Sequence, residues 1–144
     1  MRLELQRRGK REPQPIKCAR DIYCFMRHLE TESAEHLYEL LFDTKQYVHG
    51  VYLVSKGGLS NCYVDPAEVF KAALVTNSPT FALVHNHPSG IVEPSRDDVA
   101  IARRIAQGAD LLNLNFLDSL IIGDGRYYSF SEAGMMPLAA TEVT

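Results

Sequence analysis

The chain has 144 residues, enough for one domain with its own core, and its hydrophobic fraction of 46% is ordinary for a globular protein. A formal net charge of -3 gives no electrostatic reason to expect tight nucleic-acid binding. Cys18, Cys24 and Cys62 are odd in number and form no CxxC pair, which argues against a disulfide framework or a zinc ribbon and fits a reducing cytoplasm. No apolar run approaches the ~20 residues that a membrane span needs, and the charged N-terminus lacks the apolar stretch of a signal peptide.

Residues 1–16 hold Arg2, Arg7, Arg8, Lys10 and Arg11 with Pro13 and Pro15, and read as a flexible basic arm. A single domain is expected over 17–134, with a loose tail over 135–144. Ile22, Cys24, Phe25, Met26 and Leu29 predict a helix from Ala19 to about Leu29, with Cys18 and Cys24 packed on it. Glu35 to Phe42 and Tyr47 to Ser55 read as a hairpin around Asp43-Thr44-Lys45, and Ser60 to Val64, holding Cys62, as a further short strand.

Asp65-Pro66-Ala67-Glu68 opens a helix as N-cap, first-turn proline and capping-box acid, with Val69, Phe70, Ala73 and Leu74 as its buried stripe. Thr80 to His85 is a short apolar run expected as a buried central strand, and Pro88-Ser89-Gly90 forces a loop after it. Ser95 starts another helix with Val99, Ala102, Ile105, Ala106, Ala109 and Leu112 on one face. Phe116 to Ile122 and Arg126 to Phe130 form a hairpin around Gly123-Asp124-Gly125. This order predicts an α+β domain, a mixed β-sheet flanked by about three helices.

The chemistry concentrates at His85-Asn86-His87-Pro88, with Ser95 and Asp98 following. Two histidines at i and i+2 project from one strand face. A carboxylate eleven positions after the second returns on the next element. Two imidazoles and one carboxylate suit catalytic zinc, because three protein ligands leave a fourth position for water. Each residue also has a plain alternative. A histidine at a strand end can simply be hydrogen-bonded, and Ser95-Arg96-Asp97-Asp98 is a capping-box pattern in which Asp98 serves the helix start. Asp97, the alternative ligand, points ~100° away around the helix.

The run His85-x-His87-Pro88, seven residues, Ser95, two residues, Asp98 resembles the JAMM motif of the JAB/MPN metallopeptidases. His85-Asn86-His87-Pro88-Ser89-Gly90 with Pro94-Ser95 and Asp98 is similar to the bacterial RadC branch. So are Glu35-His36, Leu40-Leu41-Phe42-Asp43, Glu68 to Leu74 and Leu120 to Gly125. The resemblance runs from about Ile16 to about Glu132. It implies a JAB/MPN, cytidine-deaminase-like architecture in which His85, His87 and Asp98 bind one zinc ion per chain, with water as fourth ligand. Zinc lowers the pKa of such a water from ~15.7 toward ~7.

By position the resemblance makes Glu35 the general base and Ser95 the donor to the oxygen that becomes negative. The residues alone do not choose Glu35. Glu30, Glu32, Glu39 and Glu68 also precede the motif, and Glu39 shares Glu35's strand face.

Two departures stand out. Ile91 and Val92 occupy the place of a common Asp-Pro, and Ser119 that of a common histidine. Many members also carry an N-terminal helix-hairpin-helix region, for which this chain is too short. The expectation is therefore a cytoplasmic zinc metallohydrolase, a peptidase or isopeptidase. Its substrate would be a protein or peptide, and the chain a monomer or homodimer away from any membrane. The alternative is a DNA-repair-associated or interaction protein that keeps a metal site without peptidase activity. The acidic balance counts against direct, tight DNA binding.

Overall fold

The computed structural model describes residues 3–5, 14–57 and 64–136, with only the backbone described for 3–5. The elements in chain order are β1 (Leu3–Leu5), α1 (Ala19–Met26) with a 3-10 turn at Arg27–Thr31, β2 (His36–Phe42), β3 (Val48–Lys56), α2 (Pro66–Val75), β4 (Thr80–Asn86), α3 (Arg96–Leu112), β5 (Asn115–Gly123) and β6 (Arg126–Ser129). The strands form one sheet in the order β1-β3-β2-β4-β5-β6. Only β4 and β5 run parallel, joined by α3 as crossover; the other neighbours are antiparallel. The domain is α+β, as the element order predicts.

Both faces of the sheet are covered, which is why β2 and β4 read as nearly continuous apolar runs. Successive side chains alternate between the faces. Leu40, Phe42, Val84 and Ile122 pack with Ile22, Met26 and Leu29 from α1 and the 3-10 turn. Leu41, Phe81, Leu83 and Ile121 pack with Val69, Ala73, Ala102 and Ile105 from α2 and α3. Every residue of β4 is buried, and its C-terminal end delivers the histidines beside the start of α3. Ligand sites of open sheets gather at such carboxyl ends.

Several expectations change. Within the segment read as a free arm, Leu3–Leu5 pairs antiparallel with β3, Leu3 opposite Tyr52 and Leu5 opposite Gly50. An unpaired strand edge offers backbone groups to any extended segment within reach. Ile16 belongs to the core, and its N–H donates to the Gln46 carbonyl at 2.9 Å. Cys18 and Cys24 are exposed rather than packed, because Ile22, Tyr23 and Met26 take the inner face of α1.

The strand expected around Ser60 to Val64 falls mostly on residues 58–63, outside the described residues. Asp65 caps α2 by accepting from Ala67 N–H, whereas Glu68 accepts from the Tyr52 hydroxyl at 2.6 Å and pairs with Lys71 instead of closing a capping box. Leu74 and Leu112 are exposed at the C-terminal ends of α2 and α3. In the expected tail, Met135 and Met136 pack against the core, and 137–144 lie outside the described residues.

Candidate metal centre

His85 sits inside β4, opposite Leu37 of β2 and Ile121 of β5, and is buried. His87 follows just past the strand end, where its N–H donates to the Ile122 carbonyl at 2.9 Å and extends the alignment with β5. The two Nε2 atoms are 3.2 Å apart. His87 Nδ1 lies 2.7 Å from the Ile91 carbonyl. A carbonyl only accepts, so Nδ1 carries a proton, and Nε2 faces the site, donating to Asp98 when protonated and offering its lone pair to a metal when not.

The loop that brings Ile91 back turns at Gly90, in the left-handed region at φ +85°, with its N–H on the His87 carbonyl at 2.9 Å. Gly90 backbone rests on Gly123 so closely that a Cβ at 123 would stand 3.1 Å from it.

Asp98 satisfies both of its sequence readings at once. The capping box of α3 is fully formed: Ser95 N–H donates to Asp98 Oδ2 at 2.8 Å, and Asp98 N–H donates to Ser95 Oγ at 3.1 Å. The same carboxylate places Oδ1 3.3 Å from His85 Nε2 and Oδ2 3.1 Å from His87 Nε2. Asp97 is exposed. Burial by itself pushes the Asp98 carboxyl up, but hydrogen bonds from His85 and His87, the charge of His85 and the Ser95 N–H hold it well below the usual carboxylate range. The hydrogen bond that protonated His87 donates to Asp98 outweighs burial and raises that imidazole.

Glu35 precedes β2 and brings Oε1 to 3.7 Å from His87 Nε2. Glu35, His85 and His87 each present one ligand atom, all within 4.8 Å of one another. Glu39, the rival carboxylate, lies in register with Tyr52 and Leu83, fully buried, and neither carboxyl oxygen has a hydrogen-bond partner among the described residues. Burial pushes it up to about 9. The geometry thus brings Glu35, His85, His87 and Asp98 together, with Ser95 adjoining through its cap, and buries Glu39 in the sheet.

Two contributions escape a reading of the sequence. One is the Ile91 carbonyl on His87, which no side-chain pattern announces. The other is Asn86, whose partners lie some fifty residues upstream. Ile91 keeps its side chain exposed, while Val92 packs against the core. Ser119 is buried in register with Leu83, two pairs before the alignment of His85 with Ile121.

The donor set fits zinc on geometric grounds. Two ligands each ~2.0–2.1 Å from a tetrahedral zinc stand ~3.3 Å apart. His85 Nε2 and His87 Nε2 stand 3.2 Å apart, with Asp98 Oδ1 3.3 Å from the first and Oδ2 3.1 Å from the second. Two imidazole nitrogens and a carboxylate converge at these distances, so a bound cation can take the place of the protons that otherwise join them. The rings and carboxylate are themselves oriented: the Ile91 carbonyl holds His87 Nδ1, and the Ser95 N–H holds Asp98.

Residues 16–135 match the family model described as RadC-like JAB domain. The chain is 43% identical over 121 residues to a UPF0758 protein of Methanococcoides burtonii, covering 83% of this chain and 52% of that one. It is 39% identical to a UPF0758 protein of Methanosarcina acetivorans (87% and 56% covered) and 40% identical to one of Chloroflexus aurantiacus (92% and 60% covered). The chain therefore spans about half the length of the curated relatives it matches. Among the described residues, no helix is long and apolar enough to cross a membrane.

Proposed function

Because the chain belongs to the RadC-like JAB domain family, which includes zinc metallohydrolases, we propose that it is a zinc-dependent hydrolase cleaving an amide bond, as a peptidase or isopeptidase. The observation that carries this reading is the convergence of His85, His87 and Asp98 at zinc-ligand spacings with the Glu35 carboxylate alongside.

His85 Nε2, His87 Nε2 and an Asp98 oxygen would hold the ion. A bound zinc supplies Lewis acidity and makes a water nucleophilic near neutral pH. Glu35 would take up, at its carboxylate, the proton released by the water that adds to the carbonyl carbon. Ser95 Oγ accepts from Asp98 N–H, so its own O–H remains available to donate to the carbonyl oxygen where negative charge builds. The C–N bond then breaks, and the proton held by Glu35 passes to the departing nitrogen. Asp98 keeps its charge throughout, fixed by the helix cap.

Exposed Cys18 and Cys24 fit a reducing compartment. A protein or peptide is the substrate class in this reading, and the exposed Ile91 beside His87 is a surface that such a chain would meet.

Metal analysis of protein prepared without chelator tests the proposal, together with a cleavage panel of peptides and modifier conjugates. About one zinc per chain is expected, with turnover abolished and zinc retained in Glu35→Gln. Zinc without cleavage across the panel would favour the metal-holding interaction protein instead. A chain that takes up no zinc would remove the metal reading altogether.

A further inference from the structure

We infer that Asn86 is a positioning residue that sets Glu35 against the two histidines. The inference rests on the metal-centre reading above and concerns how that centre is assembled. Asn86 lies between His85 and His87, so its side chain leaves β4 on the face opposite theirs. There it is buried, and it reaches the segment that enters β2. Its Oδ1 accepts from His36 N–H at 2.7 Å, and its Nδ2 donates to the Ala34 carbonyl at 3.0 Å. A longer contact runs from Nδ2 to the Glu32 carbonyl at 3.5 Å.

The two short bonds hold the backbone groups immediately before and after Glu35. Only one orientation of the amide satisfies both, because a carbonyl cannot donate and an N–H cannot accept. The side chain thus takes the place of a peptide unit. The backbone ladder between β2 and β4 ends with Leu37 opposite His85, and Asn86 continues it past the point where the strands stop pairing. One tripeptide therefore carries both imidazoles on one side of the strand and, on the other, the clasp that fixes the carboxylate facing them.

Aspartate at 86 would keep the acceptor for His36 and lose the donor for Ala34. Alanine would leave the buried His36 N–H unpaired, while the Ala34 carbonyl keeps its contact with His36 Nδ1 at 2.8 Å. Either change loosens the residues flanking Glu35, whose own carbonyl still accepts from Gly57 N–H at 2.7 Å, while leaving His85, His87 and Asp98 chemically intact.

Cobalt(II) is the probe for the test. The wild-type chain, Glu35→Gln, Asn86→Ala and the double variant are loaded with cobalt(II), and their visible d–d spectra are compared. Each is expected to hold one cobalt per chain. Asn86→Ala should move the bands in the same direction as Glu35→Gln and most of the way, with no further shift in the double variant.

A wild-type spectrum in Asn86→Ala, or shifts that add in the double variant, overturns the inference while leaving the metal centre standing. A wild-type chain that takes up no cobalt overturns the metal reading and the inference with it. Should Asn86→Ala fail to fold, hydrogen exchange on the zinc-loaded wild type decides. The His36 amide and the Asn86 side-chain amide are expected to be protected ~100-fold or more, and unprotected exchange at both refutes the clasp.

Discussion

Glu39 lies four residues beyond Glu35 on the same strand face, yet only Glu35 reaches the histidines. Glu35 Oε1 is 3.7 Å from His87 Nε2, while Glu39 is fully buried with both oxygens unpartnered among the described residues. The difference comes from position along the sheet. Glu35 stands at the end where β4 delivers its histidines, and Glu39 lies between Tyr52 and Leu83, where α2 and α3 exclude water.

The burial of Glu39 makes stability pH-dependent in a direction that can be worked out. The unfolded chain releases this proton near the ordinary 4.5, and the folded chain holds it to about 9. Between those values the folded state binds more protons, so stability falls as pH rises, by up to ~1.36 kcal/mol per pH unit, and levels off above the folded value. Glu39→Leu should therefore stabilise the domain, by ~1–3 kcal/mol more at pH 8 than at pH 5. Urea unfolding at the two pH values measures this; an equal gain at both would contradict the buried, protonated state.

Ser95 joins two functions that can be separated. Ser95→Ala removes the acceptor for Asp98 N–H and should cost about 0.5–2 kcal/mol of stability, read by denaturant unfolding. If its hydroxyl also donates to the developing oxyanion, turnover on any substrate found should fall ~10²–10³-fold with zinc retained. Lost stability with unchanged turnover would confine Ser95 to the cap.

Zinc should stabilise the native chain through the histidines. Free zinc at about 100 times its Kd adds ~2.7 kcal/mol and raises Tm. In His87→Ala that response should vanish, since the substitution removes one Nε2 and releases its hold on the Ile91 carbonyl. Differential scanning with and without zinc checks this, and an undiminished shift in His87→Ala would place the metal elsewhere.

Gly108 is where α3 meets Phe70 of α2. A Cβ there would stand 2.4 Å from the Phe70 ring, closer than any real contact. Gly108→Ala should destabilise by about 1–3 kcal/mol despite alanine's better helix propensity. Combining it with Phe70→Leu should recover part of the loss. Simple addition of the two costs in thermal unfolding would show that the ring is not the obstacle.

The strands and helices were largely legible because their signals are local. Asp65-Pro66 and Ser95 mark helix starts, and Thr80 to His85 reads as the buried strand that spans Thr80–Asn86. The misreadings share a cause. Cys24 and Leu74 are apolar by composition but exposed by the angle at which α1 and α2 lie on the sheet, and Leu3–Leu5 became a strand because β3 has a free edge.

By itself the sequence determined the α+β class, the helix caps and the grouping of His85, His87, Ser95 and Asp98, because caps, strand alternation and helical period act over a few residues. Tertiary structure decided that Asp98 serves cap and histidines together, that Glu35 rather than Glu39 faces them, and that Asn86 clasps the chain around Glu35. Each of those depends on which strands pair and on how far two covered sheet faces exclude water, and no local pattern encodes either.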